Sequence, residues 1–137
     1  MSLFRIFDIA GSGMSAQSLR LNTTASNLSN AQSVSSSVNE TYRARHPVFS
    51  TSYSDFMDEY ASVGVKVDGI VESQAPLRKE FEPNHPKADS DGYIYYPNVN
   101  PVEEMANMIS ASRSYQSNVE VAKTSKQLLL ETLRLGQ

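Results

Sequence analysis

The segment Asn100–Leu135 reads NPVEEMANMISASRSYQSNVEVAKTSKQLLLETLRL. Asn100 is a favoured helix cap, Pro101 suits the first helical position, and Glu103 can reach back to the cap amide. Apolar residues then recur in steps of three and four at Met105, Met108, Ile109, Tyr115, Val119, Ala122, Leu129 and Leu133. Neither proline nor glycine interrupts the run before Gly136, which stands where a helix-ending glycine belongs. A helix of this extent is roughly 50 Å long, against a usual length of about 11–12 residues. So short a chain cannot build a globular core long enough to receive such a rod. The rod must lie along another long helix.

The partner is at the other end of the chain. Over residues 2–30, Leu3, Phe7, Ala10, Met14, Leu21, Ala25 and Leu28 share one face, with Phe7, Met14, Leu21 and Leu28 spaced by sevens. Gly11 and Gly13 each cost about 1 kcal/mol relative to alanine, so this helix depends on packing. Between Asp8 and Glu40 its only charged residue is Arg20; the rest of the polar face is Ser, Thr, Asn and Gln. Side chains that small and uncharged suit close packing on more than one side.

The chain divides accordingly into an N-terminal helix (1–32), a Ser-rich linker (33–41), a small β-rich insert (42–99) and the long C-terminal helix (100–137). Within the insert, Tyr42–Ser50 reads as a strand and Asp55–Ala61 as a helical turn or loop. Val63 to Val71 reads as a strand with room for a bulge at Gly69. Lys79–Glu82 and Tyr93–Tyr96 are short strands around the turn-rich Pro83–Pro86 and Asp89–Gly92. The expected fold class is α+β: two long terminal helices paired in coiled-coil-like fashion, with the insert between them.

Composition narrows the function. Hydrophobic residues make up 39% and charged residues 20% of the 137 residues, below globular averages of about 45–50% and 25%; Ser, Thr and Asn in the first quarter fill the gap. A net charge of −3 gives no electrostatic footprint for nucleic acid or an anionic membrane. Cysteine is absent, which removes disulfides and thiolate metal sites. No apolar run reaches the roughly 20 residues of a membrane span, so no direct membrane insertion is expected. Asp8 interrupts what would be the apolar region of a cleaved signal.

No catalytic, cofactor-binding or metal-binding constellation stands above background. His46 and His85 each precede a proline and read as solvated side chains. Asp89-Ser90-Asp91-Gly92 holds a fragment of a calcium-loop pattern without its distal glutamate, which reads as a plain turn. Tyr93, Tyr95 and Tyr96, with no basic neighbours in sequence, read as packing for the insert. The chemistry points to architecture. The apolar heptads form candidate seams: Phe7, Met14, Leu21 and Leu28 on the first helix; Met105, Met108, Tyr115, Val119, Ala122, Leu129 and Leu133 on the second. A seam of this kind serves an intramolecular helix pair, an assembly contact, or both. On the second helix Arg113, Gln116, Glu120, Lys123, Gln127, Glu131 and Arg134 step by three or four into one polar stripe. Glu120 with Lys123, and Glu131 with Arg134, set acid before base, worth a few tenths of a kcal/mol per pair.

The motif Ala25-Ser26-Asn27-Leu28-Ser29-Asn30, preceded by Ser18-Leu19-Arg20-Leu21-Asn22, resembles the N-terminal signature of bacterial flagellar rod and hook proteins. Asn98 to Met105, Ala111 to Asn118, Phe7 to Ser12, Glu72 to Pro76 and Thr132 to Gln137 resemble the proximal rod members of that family. The likeness spans nearly the whole chain and is weakest over 33–62. It implies a structural subunit whose terminal helices pack helically, with related axial proteins, into a hollow shaft that transmits torque and passes export substrates. It implies copies of itself and other rod proteins as partners, together with an export-gate adaptor at the rod base and the flagellar type III export apparatus. It places the chain in the periplasm-spanning basal body, exported without a cleaved signal, and turns the polar stripe toward the channel. The competing classes are another rod or hook protein and a non-catalytic coiled-coil adaptor. A membrane-surface protein is disfavoured because the first helix lacks a basic face.

Overall fold

A computed structural model describes residues 3–53 and 63–136. Helix α1 spans Leu3–Asn30, strands β1 and β2 span Arg45–Tyr53 and Val63–Glu72, β3 and β4 span Arg78–Phe81 and Tyr93–Tyr96, and helix α2 spans Pro101–Leu135. The architecture is α+β, as the sequence implies. Asn100 caps α2, its side chain accepting from the amides of Val102 (3.1 Å) and Glu103 (3.5 Å). Gly136 ends the helix at φ −90, outside the left-handed conformation for which glycine is usually chosen there.

α1 and α2 pack along each other as an antiparallel pair. Gly13 lies against Asn118, and further along α1 Arg20 Nη2 donates to Asn107 Oδ1 at 3.0 Å. The interior of the pair is made of small residues. Ala10, Ala16, Thr23, Thr24 and Asn27 are buried on α1, and Ala111 and Ser125 on α2, with Glu104. A Cβ on Gly13 would stand 2.7 Å from Asn118 Nδ2, so the Asn118 side chain occupies the space that a larger residue would need.

The insert has two antiparallel two-stranded sheets, β1–β2 and β3–β4. β1 starts three residues later than the alternation suggests and runs through Tyr53, because Thr51, Ser52 and Tyr53 pair with Val65, Gly64 and Val63. The register slips between Val48 and Phe49, whose partners are Gly69 and Val67, leaving Asp68 as the bulged residue beside Gly69. β3 pairs with β4 from Arg78–Tyr96 to Phe81–Tyr93, one residue earlier than expected. The expectation for Asp55–Ala61 lies outside the described residues.

α1 is covered on two sides. α2 lies on one; the β1–β2 hairpin lies on another, held by the Val65 amide donating to Ser12 Oγ at 3.1 Å. The uncharged face of α1 serves this double packing. α2, by contrast, packs on α1 alone among these elements. The linker has no helix or strand but is tied down: Ser35 exchanges backbone hydrogen bonds with Tyr95 (3.1 and 3.0 Å), and Lys87 Nζ donates to the Val34 carbonyl.

Candidate assembly face

Asn27 joins α1 to the insert, and Asn98 secures the segment that leads from the insert into α2. Asn27 is fully buried; its Nδ2 donates to the Arg45 carbonyl (2.8 Å), and its Oδ1 accepts from the Arg45 amide (2.9 Å) and the Tyr42 hydroxyl (2.8 Å). The Tyr42 oxygen also lies 3.1 Å from Ser26 Oγ, and Asn30 Nδ2 donates to the Ser26 carbonyl. Buried backbone groups need partners, and Asn27 supplies them where the chain enters β1 beside α1. Ala25 and Ser29 are exposed and Leu28 half-buried, so within the signature motif Asn27 and Ser26 make the junction. Asn98 does the same on the return path: its Oδ1 accepts from the Ala44 amide (2.8 Å), and its Nδ2 donates to the carbonyls of Ser73 (3.2 Å) and Ala75 (2.9 Å). Sequence reasoning places Asn98 in a family motif without giving it this task.

With this junction holding the helices, the seam residues can be located. None is among the fully buried ones. Phe7, Met14, Leu21, Leu28, Met108, Val119, Ala122 and Leu129 are half-buried, while Met105, Tyr115 and Leu133 are exposed at 50%, 37% and 61%. The line on α2 that meets α1 is Glu104, Ala111, Asn118 and Ser125, spaced by sevens and free of large apolar side chains.

Helical geometry fixes where the large side chains stand. Successive residues turn by about 100°, so Ser12, Gly13 and Met14 point to three sides of α1. Ser12 meets the hairpin and Gly13 meets α2, which leaves Met14 on the remaining flank, shared by Phe7, Leu21 and Leu28. In an antiparallel pair, the residues following Gly13 and Asn118 fall on the same side. Val119, Met105, Met108 and Tyr115 therefore flank α2 on the side where Met14 flanks α1. The two heptad series thus meet in one apolar face, away from the hairpin. Ile109, Leu128, Leu130 and Leu135 are further exposed apolar residues of α2, at 56%, 50%, 47% and 88%. Their spacing around the helix is irregular, so periodicity overlooked all but Ile109.

The stripe Arg113, Gln116, Glu120, Lys123, Gln127, Glu131 and Arg134 is exposed throughout. Gln127 follows Asn118 by about two and a half turns, so the stripe runs along the side of α2 opposite α1. Neither Glu120–Lys123 nor Glu131–Arg134 closes into an ion pair; the pairs among the described residues are Arg45–Glu72, Lys66–Asp68 and Arg78–Glu80. Fully solvated side chains gain too little from such contacts to hold one geometry. Ahead of Arg113 the same outward line is apolar, with Val102 71% and Ile109 56% exposed.

The insert also departs from expectation. Strand pairing sets Arg78 over the Tyr96 ring at 4.4 Å and Lys79 over Tyr93 at 3.8 Å, so the tyrosines have cations against them after all. Asp89 forms the turn read from the sequence. The Tyr93 amide, with those of Asp91 and the Tyr95 hydroxyl, holds its carboxyl below the usual carboxylate range. Among the described residues no group of His, Asp or Glu is arranged to hold a metal, and no helix is long and apolar enough to cross a membrane.

Residues 7–34 match the family model described as flagella basal body rod protein, and residues 90–135 that described as flagellar basal body rod FlgEFG protein C-terminal. The matched segments are α1 with the start of the linker, and β4 with α2. Over the full length of both chains the sequence is 52% identical to the flagellar basal-body rod protein FlgC of Salmonella typhimurium and 51% to that of Yersinia enterocolitica. It is 32% identical to FlgC of Borreliella burgdorferi, with all of this chain and 99% of the relative covered.

Proposed function

The chain belongs to the FlgC family of flagellar basal-body rod proteins, and from that membership we propose that its helix pair builds the rod wall through the apolar face of α1 and α2. It is a structural subunit of the basal-body rod, associated with other rod proteins at the flagellum. The observation that carries the assembly reading is the exposure of α2. A helix of 35 residues packed on one neighbour leaves Met105, Ile109, Tyr115, Leu128 and Leu133 in water. Apolar surface on that scale marks a contact, and at about 25 cal/mol per Å² its burial is a strong drive toward polymerisation. The interior of the pair is lined by small side chains, so the helices draw much of their stability from neighbours in the shaft.

The polar stripe from Arg113 to Arg134 suits the channel side of that wall. It mixes both charge signs with glutamine and offers passing unfolded chains no apolar purchase. Val102 and Ile109, ahead of it, belong to a contact with an adjoining subunit. In this reading the subunit reaches its place through the type III export apparatus without a cleaved signal, meets the export-gate adaptor at the rod base, and transmits torque across the periplasm.

The test is Met105→Asp, made in cells lacking the native subunit. The substitution sits at an exposed position, so the purified chain keeps its far-UV circular dichroism and is still secreted. Buried in the shaft, the unpaired carboxylate costs several kcal/mol. Rods are expected to stop at this subunit and motility to be lost; normal swimming would remove Met105 from the assembly face.

A further inference from the structure

The α1-facing line of α2 contains one residue that its surroundings do not explain. Glu104 is 3% exposed, and its Oε2 has no hydrogen-bond partner. Among the described residues no cationic nitrogen lies within 4.0 Å of its carboxylate. Arg20, on the facing helix, donates one of its N–H groups to Asn107 and stays more than 4.0 Å from the Glu104 carboxylate. Asn27, which stands level with Glu104 when the register is counted from the Gly13–Asn118 approach, turns its amide to the Arg45 backbone and the Tyr42 hydroxyl. The first turn of α2 favours negative charge, but the exposed Glu103 already answers that. A carboxyl group kept from water without a hydrogen-bond partner is a liability that an alanine, as at Ala111 on the same line, would avoid.

Its neighbourhood shows where a donor would come from. Glu104 is followed by Met105 and flanked one turn on by Met108, which with Leu28 belong to the apolar face described above. We propose that Glu104 is the register-setting acceptor of the assembled rod: a helix of an adjoining axial subunit, seated on the Leu28–Met105–Met108 flank, delivers a lysine or arginine head group to its carboxylate. An apolar face by itself tolerates slippage by a turn, whereas one buried charge that must meet its counter-charge penalises every other register. In the free subunit the acceptor waits unpaired, and assembly completes it. The inference rests on the assembly reading of the apolar face and adds its polar pin.

Full-length Glu104→Leu and Glu104→Gln, with Met105→Asp alongside, test this. In purified protein Glu104→Leu is expected to match or exceed the native helix content and urea midpoint, since it removes an unpaired buried group. In cells, both Glu104 variants are expected to be secreted yet to lose most complete rods in isolated basal bodies. A lower helix content or midpoint for Glu104→Leu would show that the carboxylate has its partner inside the subunit, and would overturn the proposal. Glu104→Gln completing rods at the native frequency would overturn a cationic donor. Native rod counts for Glu104→Leu while Met105→Asp is blocked would remove the pin and leave the assembly face standing. Native counts for all three would remove both.

Discussion

Gly11 and Gly13 are two residues apart in one helix, yet alanine at each should move stability in opposite directions. Glycine in a helix interior costs about 0.8–1 kcal/mol relative to alanine, so each position starts from the same potential gain. At Gly11 a new Cβ meets nothing within 4 Å. Gly11→Ala should therefore stabilise the chain by about 0.5–1 kcal/mol. At Gly13 the new carbon would stand 2.7 Å from Asn118 Nδ2 and 3.1 Å from its Cγ. Asn118 must turn or the helices must part, and overpacking of this kind costs about 1–3 kcal/mol. Set against the propensity gain, Gly13→Ala should be net destabilising by about 1 kcal/mol. Asn118→Ala removes the obstructing amide, so in that background Gly13→Ala should become stabilising. The cycle should then show a coupling of about 1–2 kcal/mol, within the range for residues in contact. Urea unfolding of the purified full-length chain, followed by far-UV circular dichroism, reads all four midpoints. Equal shifts of the same sign for Gly11→Ala and Gly13→Ala would mean that Asn118 turns aside at no cost or that the helices do not meet at Gly13 in solution, and would refute the predicted overpacking.

Asn27→Ala strips partners from the Arg45 amide, the Arg45 carbonyl and the Tyr42 hydroxyl at once. Buried groups left unsatisfied make this expensive, roughly 3 kcal/mol or more, read as a lowered urea midpoint; a fall under about 1 kcal/mol would mean that water replaces the amide freely. Replacing Gln116, Glu120 and Lys123 together by leucine should leave rods intact but slow secretion of the subunits that assemble after them. Unchanged export of hook protein from cells with intact rods would return the stripe to an ordinary solvated face.

The helices were legible because their signals are local and redundant. The Asn100-Pro101 cap bounds α2 to the residue, and heptad spacing marks α1 despite two glycines. The strands were legible by alternation but not in their limits. Just ahead of β1 the Ala44 amide turns to the Asn98 side chain, a contact across 54 residues that no window of sequence displays. The cations on Tyr93 and Tyr96 were hidden in the same way: Arg78 and Lys79 reach those rings only through the register of β3 with β4.

The helix interface shows a deeper reason why the site was only partly visible. Periodicity weights large apolar side chains, and those of this chain outline the faces that remain outside the folded subunit. The true intramolecular line, Glu104, Ala111, Asn118 and Ser125, has the same seven-residue repeat but carries no hydrophobic signal. It meets a line of similar character, Ala10, Gly13, Thr24 and Asn27, whose small side chains contribute little apolar burial of their own. A monomeric protein built this way would invert the usual order, with small groups inside and Met, Tyr and Leu in water. For a subunit whose folded state is completed by its neighbours, the same order is economical. On the assembly reading proposed above, such a pair would open easily for export, and its larger side chains would be left for the contacts between subunits.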